Sequence, residues 1–417
     1  MLRANRRPPA ALGGLLAVAM LLANTAILRA QWDRQYTQAR QVMVESEIAT
    51  AGIKQPAILA AMRITPRHEF VPAELRGYAY YDMALPIGEH QTISPPFIVA
   101  WMTQMLDPRP TDSVLEIGTG SGYQAAVLSG LAKEVYTIEI NPTLAARVEK
   151  TFKRLKYKNI SFKLGDGYQG WSEHAPFDKI IVTCSPEKVP APLVEQLREG
   201  GQIVIPLGER YQQTLFVMHK HDGRLVVDQR EPTFFVPMTG KAEMLRVRTD
   251  QAAMTELVNG DFENQLEGGK PAGWYYVRQA SLEPRDGQNG ASQVLSFVNR
   301  VPGRGSQALQ AIGVDGRRVA ELSVSLMVEG HDLAPGQAAD QLPKVLVSFF
   351  DDDRNPVGEQ IVGPFKGTFA WNRRTARLKV PENARVAIVA VGLLGGTGQL
   401  TCDDIEIRQG APRVAKR

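Results

Sequence analysis

The sequence predicts an α/β domain followed by an all-β sandwich, and two patterns support this prediction. Through residues 113–184, apolar runs recur and several of them end in an acidic residue, as the parallel strands of an α/β sheet do. Beyond about residue 250, short strands with period-2 alternation are separated by glycine-rich turns, which is typical of a β-sandwich. We therefore predict a first domain over residues 31–250 and a second over residues 255–410.

The start of the predicted sheet carries a glycine-rich turn. An apolar strand ends in Glu116, and the turn that follows contains Gly118, Gly120 and Gly122. Glycines in such a turn let a ligand lie directly on the backbone, beside the amides of a helix N-terminus. The G-x-G-x-G spacing differs from the dinucleotide fingerprint G-x-G-x-x-G, because Tyr123 stands at the third glycine position. An acid before the turn suits the cationic amino-acid end of S-adenosylmethionine better than a pyrophosphate; a purely structural turn is the alternative.

Acidic residues also follow the next strands. The later strands are predicted at Val135–Ile138, Ile160–Leu164 and Asp178–Cys184. Glu139 comes about 20 residues after the glycines, where a Rossmann-type sheet places a carboxylate for ribose hydroxyls. Asp166 and Gly167 follow the third strand and are predicted to lie beside an adenine. Each acid alone fits a solvated strand end, but their repetition favours a binding edge.

Composition excludes several other classes of protein. The 417 residues carry a net charge of +4 without interleaved basic and aromatic residues, so nucleic-acid binding is not predicted. The two cysteines, Cys184 and Cys402, fall in different predicted domains, which argues against a disulfide framework or a zinc site. The six histidines show no metal-ligand spacing.

The first 30 residues form a separate segment. Arg3, Arg6 and Arg7 precede an apolar run over residues 10–28, the order found in an export signal or an uncleaved membrane anchor. We therefore predict a periplasmic or otherwise exported protein, or one anchored by its N-terminal segment. A cytoplasmic protein with a disordered extension is the alternative.

Residues 33–110 are predicted to form a helical cap ahead of the sheet. Within this region, residues 81–94 place hydroxyls, an amide and an acid on one loop. Pro95 and Pro96 follow and are expected to stiffen the end of that loop. Loops on a rigid scaffold often carry catalytic groups, although a plain surface loop is the alternative.

Several segments resemble the protein-L-isoaspartate (D-aspartate) O-methyltransferase family, in the same order along the chain and over roughly residues 35–245. These segments are Arg67–Pro72, Tyr80–Asp82, Leu85–Gly88, Gln91–Ser94, Glu116–Gln124, Gly165–Gly167, Gly170–Trp171, Ala175–Asp178 and Phe235–Pro237. The resemblance implies a Rossmann-like, S-adenosylmethionine-dependent enzyme of protein repair. Its substrates would be proteins and peptides that contain L-isoaspartyl residues. His90 stands where bacterial members usually have glycine, which makes the shape of this loop a point to test.

The resemblance also implies roles for individual residues. It gives Ser94 a catalytic role, and it places Gln91, Thr92 and Ile93 beside the cofactor. Glu116, Glu139, Asp166 and Gly167 match the family's contacts to S-adenosylmethionine, together with the glycines of the turn. The candidate catalytic residues are therefore Ser94, Thr92 and Asp82.

The implied chemistry needs no general base. An isoaspartyl residue has a free α-carboxylate with a pKa of about 3.5, so this nucleophile is ionised at neutral pH. Catalysis then depends on holding its oxygen about 3–3.5 Å from the methyl group and in line with the sulfur. The hydroxyls of Thr92 and Ser94 are expected to orient the carboxylate. Asp82, itself an anion, is expected to accept a hydrogen bond from the substrate backbone or to order the loop.

The second predicted domain resembles the jelly roll of carbohydrate-binding and galactose-binding modules. The resemblance rests on Asn259–Glu263, Trp274 and the closing segment Asp403–Ile407. Its aromatic residues predict either a sugar-stacking platform or part of the core: Trp274, Tyr275, Tyr276 and Trp371. The carboxylates of Asp261, Glu263 and Asp404 are candidate ligands of a structural calcium ion.

Two functions from different classes are therefore predicted. The first is a methyltransferase acting on isoaspartyl residues. The alternative is a glycan- or protein-binding module joined to a methyltransferase-like domain that no longer catalyses the reaction. Because all the cofactor motifs precede residue 250, the sequence predicts that the first domain works without the second.

Overall fold

The computed structural model describes residues 31–208, 213–244, 256–266, 268–287, 290–352 and 355–413. The predicted export segment, residues 1–30, lies outside this part of the chain. Among the residues that are described, no helix has both the length and the apolar character needed to cross a membrane. The cellular location therefore stays a prediction from sequence.

The first domain contains a seven-stranded sheet with the order β5-β4-β3-β6-β7-β8-β9. Its strands are β3 (Ser113–Ile117), β4 (Glu134–Glu139), β5 (Ile160–Leu164), β6 (Phe177–Val182), β7 (Leu197–Gly208), β8 (Gln213–His221) and β9 (Arg224–Thr233). Neighbouring strands from β5 to β7 are parallel, and β8 and β9 add an antiparallel hairpin. The four predicted strands are confirmed as β3 to β6. Strand order reverses between β3 and β6, and α/β sheets bind ligands at such a reversal.

Helices cover both faces of this sheet. Those of the first domain are α1 (residues 31–43, continued by a π-helical turn at Val44–Ala49), α2 (Pro56–Ile64), α3 (Pro96–Leu106), α4 (Tyr123–Ser129), α5 (Pro142–Leu155), α6 (Ala191–Gln196) and α7 (Lys241–Met244). Val114 of β3 packs in one core cluster with Val99 of α3, whereas Leu115 packs in another with Leu193 of α6. This division follows from the strand, whose successive side chains point to opposite faces.

The predicted helical cap over residues 33–110 contains α1, α2 and α3, but it is not purely helical. A short antiparallel hairpin, β1 (Leu85–Gly88) and β2 (Gln91–Ile93), interrupts it. Leu85, Ile87 and Ile93 are buried while Pro86 and Thr92 are exposed, which is the alternation of a strand rather than of a helix. The hairpin carries the predicted substrate loop to the edge of the sheet.

The second domain consists of two five-stranded antiparallel sheets, with the orders β10-β13-β18-β15-β16 and β11-β12-β19-β14-β17. Its strands are β10 (Tyr275–Arg278), β11 (Ala280–Gly287), β12 (Gly290–Asn299), β13 (Gln307–Gly313), β14 (Glu321–Ala334), β15 (Lys344–Phe350), β16 (Pro356–Val362), β17 (Gly367–Lys379), β18 (Val386–Gly392) and β19 (Thr397–Gln409). Through residues 321–330 of β14 and along β15, every second residue is buried, and buried residues of the two sheets form one core. The predicted β-sandwich is therefore confirmed.

The two domains pack against each other. The ring of Phe234, which follows β9, stacks on Tyr275 of β10 with 5.5 Å between ring centroids. The hydroxyl of Tyr276 donates a hydrogen bond of 2.9 Å to the carbonyl oxygen of Asp82. The sandwich thus contacts the segment that leads into the β1–β2 hairpin.

Candidate active site

A cavity of about 650 Å³ opens at the carboxyl ends of the parallel strands. Residues 118–121 after β3, Glu139 at the end of β4, Gly167 after β5 and Thr183 after β6 line one side. Residues 89–93 of the β1–β2 hairpin and Ser94, which directly follows it, line the other. The volume falls in the range of about 300–1,000 Å³ that is typical of small-molecule sites.

The three glycines of the turn have different roles. Gly118 has a φ of +93°, and an added Cβ would lie 2.7 Å from Oγ1 of Thr183, so this position requires glycine. A Cβ on Gly120 would meet no protein atom closer than 3.7 Å, and Gly120 lines the cavity. A Cβ on Gly122 would lie 2.8 Å from Phe152 of α5. Gly122 is therefore needed for helix packing and does not line the cavity.

Glu139 lies on the cavity wall, as expected from the sequence. Its Oε2 accepts a hydrogen bond of 2.8 Å from the Gly120 amide, and its Oε1 accepts one of 2.8 Å from the Asn141 amide. The carboxylate thus holds the glycine turn against the end of β4. It remains positioned to accept hydrogen bonds from a ligand in the cavity.

Glu116 does not line the cavity, which corrects the expectation of direct contact with a ligand. Its side chain is fully buried, and Oε2 accepts a hydrogen bond of 2.5 Å from Oγ1 of Thr137. Burial, with a smaller contribution from the Glu139 charge, raises the pKa of Glu116 to about 8. Thr137 also contacts Thr119, with 2.6 Å between their hydroxyl oxygens. Glu116 therefore supports the glycine turn from the core side of the sheet, through the side chains of Thr137 and Thr119.

Of the two neighbouring residues Asp166 and Gly167, only Gly167 lines the cavity. An added Cβ on Gly167 would collide with the side chain of Ile117. The Asp166 carboxylate instead accepts hydrogen bonds from the amides of Tyr168 at 3.0 Å and Lys241 at 3.1 Å. It joins the end of β5 to the start of α7, and it is not among the lining residues.

The β1–β2 hairpin brings Gln91, Thr92, Ile93 and Ser94 to the cavity together. At its tip, Glu89 and His90 have φ values of +54° and +55°. Two-residue hairpin turns favour this left-handed conformation, and glycine is the residue that adopts it most easily. His90 accepts the same backbone conformation, so the substitution for glycine leaves the turn in place.

Asp82 lies outside the cavity, so the structure does not support a catalytic role for it. Its carboxylate is 3% exposed, and Oδ1 accepts a hydrogen bond of 2.8 Å from the Phe97 amide. Its Oδ2 lies 2.7 Å from Nη2 of Arg278 in the second domain. This geometry fits the alternative prediction, in which Asp82 orders the loop.

Three of the four aromatic residues predicted for a sugar-stacking platform are used in the core or in the contact between the domains. Trp274 is buried in the core, and its Nε1 donates a hydrogen bond of 2.9 Å to the Asn259 carbonyl. Tyr275 and Tyr276 contact the first domain. The Arg285 guanidinium lies 4.1 Å from the centre of the Trp371 ring.

The three candidate calcium ligands lie around Asp403, whose pKa is raised to about 6 by burial and by their negative charges, but they do not reach metal-ligand spacing. Glu263 accepts a hydrogen bond from the Gln293 amide, and Asp404 forms an ion pair of 3.3 Å with Arg373. In the part of the chain that is described, the one group with metal-ligand spacing is the exposed set Glu199, His221 and Asp222 of the first domain. The carboxylates of Asp261, Glu263 and Asp404 thus give a calcium site no support.

Several lining residues were not predicted. Thr183 and Cys184 directly follow β6, and their place after the fourth parallel strand was a usable signal. Burial raises the pKa of the Cys184 thiol well above its ordinary value, which keeps the thiol neutral. Asp352 of the sandwich also lines the cavity, and nothing in the sequence indicates that.

The site combines three features: a glycine turn where the strand order of the parallel sheet reverses, a carboxylate after the neighbouring strand, and a polar hairpin over the same cavity. Together these features define a Rossmann-like methyltransferase domain. Comparison with known proteins then identifies the family. Residues 38–243 match the family model described as protein-L-isoaspartate(D-aspartate) O-methyltransferase. The chain belongs to this family.

Curated relatives agree with this assignment. The protein-L-isoaspartate O-methyltransferase of Gloeobacter violaceus is 48% identical over 198 residues, which are 47% of this chain and 97% of the relative. Protein-L-isoaspartate O-methyltransferase 2 of Shewanella sediminis is 50% identical over 212 residues, covering 50% of this chain and 86% of the relative. A solved protein-L-isoaspartate O-methyltransferase is 24% identical with a TM-score of 0.44, covering 62% of this chain and 86% of that one. The family match ends at residue 243, ahead of the sandwich.

Proposed function

We propose that this protein transfers a methyl group from S-adenosylmethionine to the α-carboxylate of L-isoaspartyl residues in damaged proteins. One observation carries the proposal: the glycine turn, the Glu139 carboxylate and the segment Gln91–Ser94 line the same cavity. Membership of the family names the reaction class, and the shared cavity supplies a place for both reactants.

The cavity fits S-adenosylmethionine. Gly120 leaves room for a ligand to lie on the backbone, and the Glu139 carboxylate is placed to accept hydrogen bonds from ribose hydroxyls. When bound, the cofactor supplies an electrophilic methyl group on a sulfonium. We place its ribose at Glu139 and its adenine beside Gly167, and we place Gln91, Thr92 and Ile93 along the edge of the cofactor site.

The chain itself contributes orientation and shielding from water. The substrate carboxylate is already ionised at neutral pH, so we assign no residue as a general base. We propose that the hydroxyls of Ser94 and Thr92 donate hydrogen bonds that align this carboxylate with the methyl group. A product ester at this position then closes to a succinimide without help from the enzyme.

The proposal is tested with two peptides that differ in one linkage. Purified full-length protein is incubated with labelled S-adenosylmethionine and either an isoaspartyl peptide or the same peptide with an ordinary aspartyl residue. We expect methyl transfer to the isoaspartyl peptide alone, because the aspartyl peptide lacks the displaced α-carboxylate. Equal transfer to both peptides would remove the specificity that we propose.

The Ser94→Ala variant is expected to lower kcat on the order of 10–100-fold, the effect of losing one hydrogen bond to a charged group worth about 1.5–3 kcal/mol. Stability should change little, since Ser94 is half-buried at a strand end. Steady-state kinetics and thermal unfolding measure the two effects. Ser129→Ala is a matched control, because its hydroxyl bonds only to the Ala126 carbonyl within α4. Unchanged kcat in Ser94→Ala would contradict the role assigned to this hydroxyl.

We further propose that the N-terminal segment exports the protein or anchors it to the membrane, with the enzyme on the far side from the cytoplasm. The support is the order of Arg3, Arg6, Arg7 and the apolar run of residues 10–28. Cell fractionation with sequencing of the mature N-terminus tests this. An intact Met1 on freely soluble cytoplasmic protein would contradict export.

A glycan ligand of the sandwich stays a prediction from sequence. Three of the four aromatic residues on which it rested, Trp274, Tyr275 and Tyr276, are used in the core and in the contact between the domains. A glycan array probed with the full-length protein tests it, and binding of no glycan would leave the contact with the first domain as the role of the sandwich.

A further inference from the structure

Four charged side chains meet between the two domains. Glu47 of α1 and Asp82 come from the first domain, and Arg278 and Arg304 come from the sandwich. Arg278 Nη2 lies 2.7 Å from Asp82 Oδ2, and Arg304 Nε lies 2.7 Å from Glu47 Oε1. Glu47, Asp82 and Arg278 are buried. Two carboxylates thus face two guanidiniums, and removing one partner would leave an uncompensated charge in a buried position.

Asp82 connects this group to the active-site hairpin. Its Oδ1 accepts a hydrogen bond of 2.8 Å from the Phe97 amide. Pro95 and Pro96 have no amide hydrogen, so Phe97 provides the first backbone donor at the start of α3. The same two prolines directly follow Ser94. The hydrogen bond from Phe97 to Asp82 therefore fixes the chain three residues after the proposed catalytic hydroxyl.

The sandwich holds this segment from several directions. The Arg278 guanidinium lies 4.4 Å from the centre of the Phe97 ring, and Nη2 donates a hydrogen bond of 2.7 Å to the Glu47 carbonyl oxygen. The Tyr276 hydroxyl donates to the Asp82 carbonyl oxygen at 2.9 Å. Both the side chain and the backbone of Asp82 are thus bound by residues of β10.

The charges of this group depend on one another. Burial raises the pKa of Glu47 to about 7, and the neighbouring Arg304 and Arg278 oppose that shift. Arg67 is fully buried nearby, and its Nη2 donates a hydrogen bond of 3.3 Å to the Met83 carbonyl. The segment before the hairpin is therefore held between cations of both domains.

We infer that Arg278 of the sandwich is a positioning residue for methyl transfer: through Asp82 and Phe97 it fixes the start of α3 and, with it, the position of Ser94. This inference rests on the proposed function. Arg278 lines no part of the cavity and acts on the reaction only through the residues it holds. The sandwich is then a working part of the catalytic domain rather than an independent module.

The test uses full-length Arg278→Met, which keeps an unbranched apolar side chain at this position and removes the guanidinium and its charge. We expect kcat for an isoaspartyl peptide to fall on the order of 10–100-fold, because small displacements of positioning groups have effects of this size. The Kd of S-adenosylmethionine, measured by calorimetry, should stay unchanged, because Glu139 and the glycine turn are untouched. Arg285→Met is the matched control. Arg285 lies on the other sheet of the sandwich from Arg278 and pairs with Glu329 and Trp371 of its own sheet. Its loss should therefore leave kcat unchanged.

A milder variant keeps the test decisive if Arg278→Met fails to fold. Tyr276→Phe removes only the hydroxyl that binds the Asp82 carbonyl, and we expect a smaller fall in kcat with the same unchanged Kd. Wild-type kcat in every folded variant would overturn the inference, as would a parallel loss of kcat and cofactor affinity. A wild-type protein that methylates no isoaspartyl peptide would instead contradict the proposed function, so the two failures are distinguishable.

Discussion

The Gly120→Val variant is expected to lose S-adenosylmethionine binding while keeping its fold. A Cβ at Gly120 would meet only Ile87 Cδ1 at 3.7 Å and the Gly118 carbonyl oxygen at 3.9 Å. The protein therefore has room for the new side chain, but that room is part of the cavity. The φ of +54° adds a conformational cost of about 1–2 kcal/mol for a residue with a Cβ. Calorimetry should detect no binding, and thermal unfolding should show only this modest destabilisation.

A second glycine separates backbone strain from loss of the site. Gly223, in the turn between β8 and β9, has a φ of +72° and no neighbouring atom within 4 Å of an added Cβ. Gly223→Val should therefore carry a similar strain and bind the cofactor with wild-type affinity. Wild-type affinity in Gly120→Val would contradict the place that we give the cofactor on the glycine turn.

Ending the chain at residue 250 is expected to lower both stability and methyl transfer. The sequence predicted an independent first domain, but the structure shows three kinds of contact that this truncation would remove. Glu47 and Asp82 would lose their cationic partners Arg278 and Arg304. Phe234 would lose its stacked neighbour Tyr275, and the segment before the β1–β2 hairpin would be held from one side only.

We expect kcat of the truncated chain to fall on the order of 10–100-fold, as for full-length Arg278→Met, because both changes release the start of α3. Thermal unfolding should also begin at a lower temperature, since apolar surface between the domains is exposed. The measurement is kcat per folded molecule, with the folded fraction taken from circular dichroism. A truncated chain with wild-type kcat would show that the first domain needs no support from the sandwich.

The fold was largely predictable because its signals are local. The strands after Ser113 are continuous apolar runs, and the glycines of the turn follow the first of them directly. Their spacing also argued against a dinucleotide site, because Tyr123, the first residue of α4, stands at the third glycine position. The period-2 alternation of β14 and β15 is equally local, which is why the sandwich was recognised without its topology.

The candidate site was predicted less completely, because side-chain direction depends on the register of neighbouring strands. Glu116 lies opposite Thr137 in the parallel pair β3–β4, and its side chain turns into the core rather than to the cavity. Asp166 is directed to α7 by the Lys241 amide. Neither orientation follows from position in the sequence alone, whereas Glu139 and Gly167 at strand ends were placed correctly on the wall.

The contact between the domains gave no local signal. Asp82 and Arg278 are almost 200 residues apart in the sequence, and each reads as an ordinary polar residue beside a strand. Trp274 and its neighbours suggested a binding platform because aromatic residues suit both cores and ligand surfaces. The packing inside the sandwich decides the use of Trp274, and the packing of the sandwich on the first domain decides that of Tyr275 and Tyr276.

The most direct test of the account follows the labelled methyl group to its product. Full-length protein, methyl-labelled S-adenosylmethionine and an isoaspartyl peptide with an amidated C-terminus are incubated together, so that the isoaspartyl residue carries the one free α-carboxylate. We expect a labelled methyl ester on that residue, followed by its closure to a succinimide with release of labelled methanol. A label that stays on the peptide through that closure, or that appears equally on the matched aspartyl peptide, would contradict this expectation.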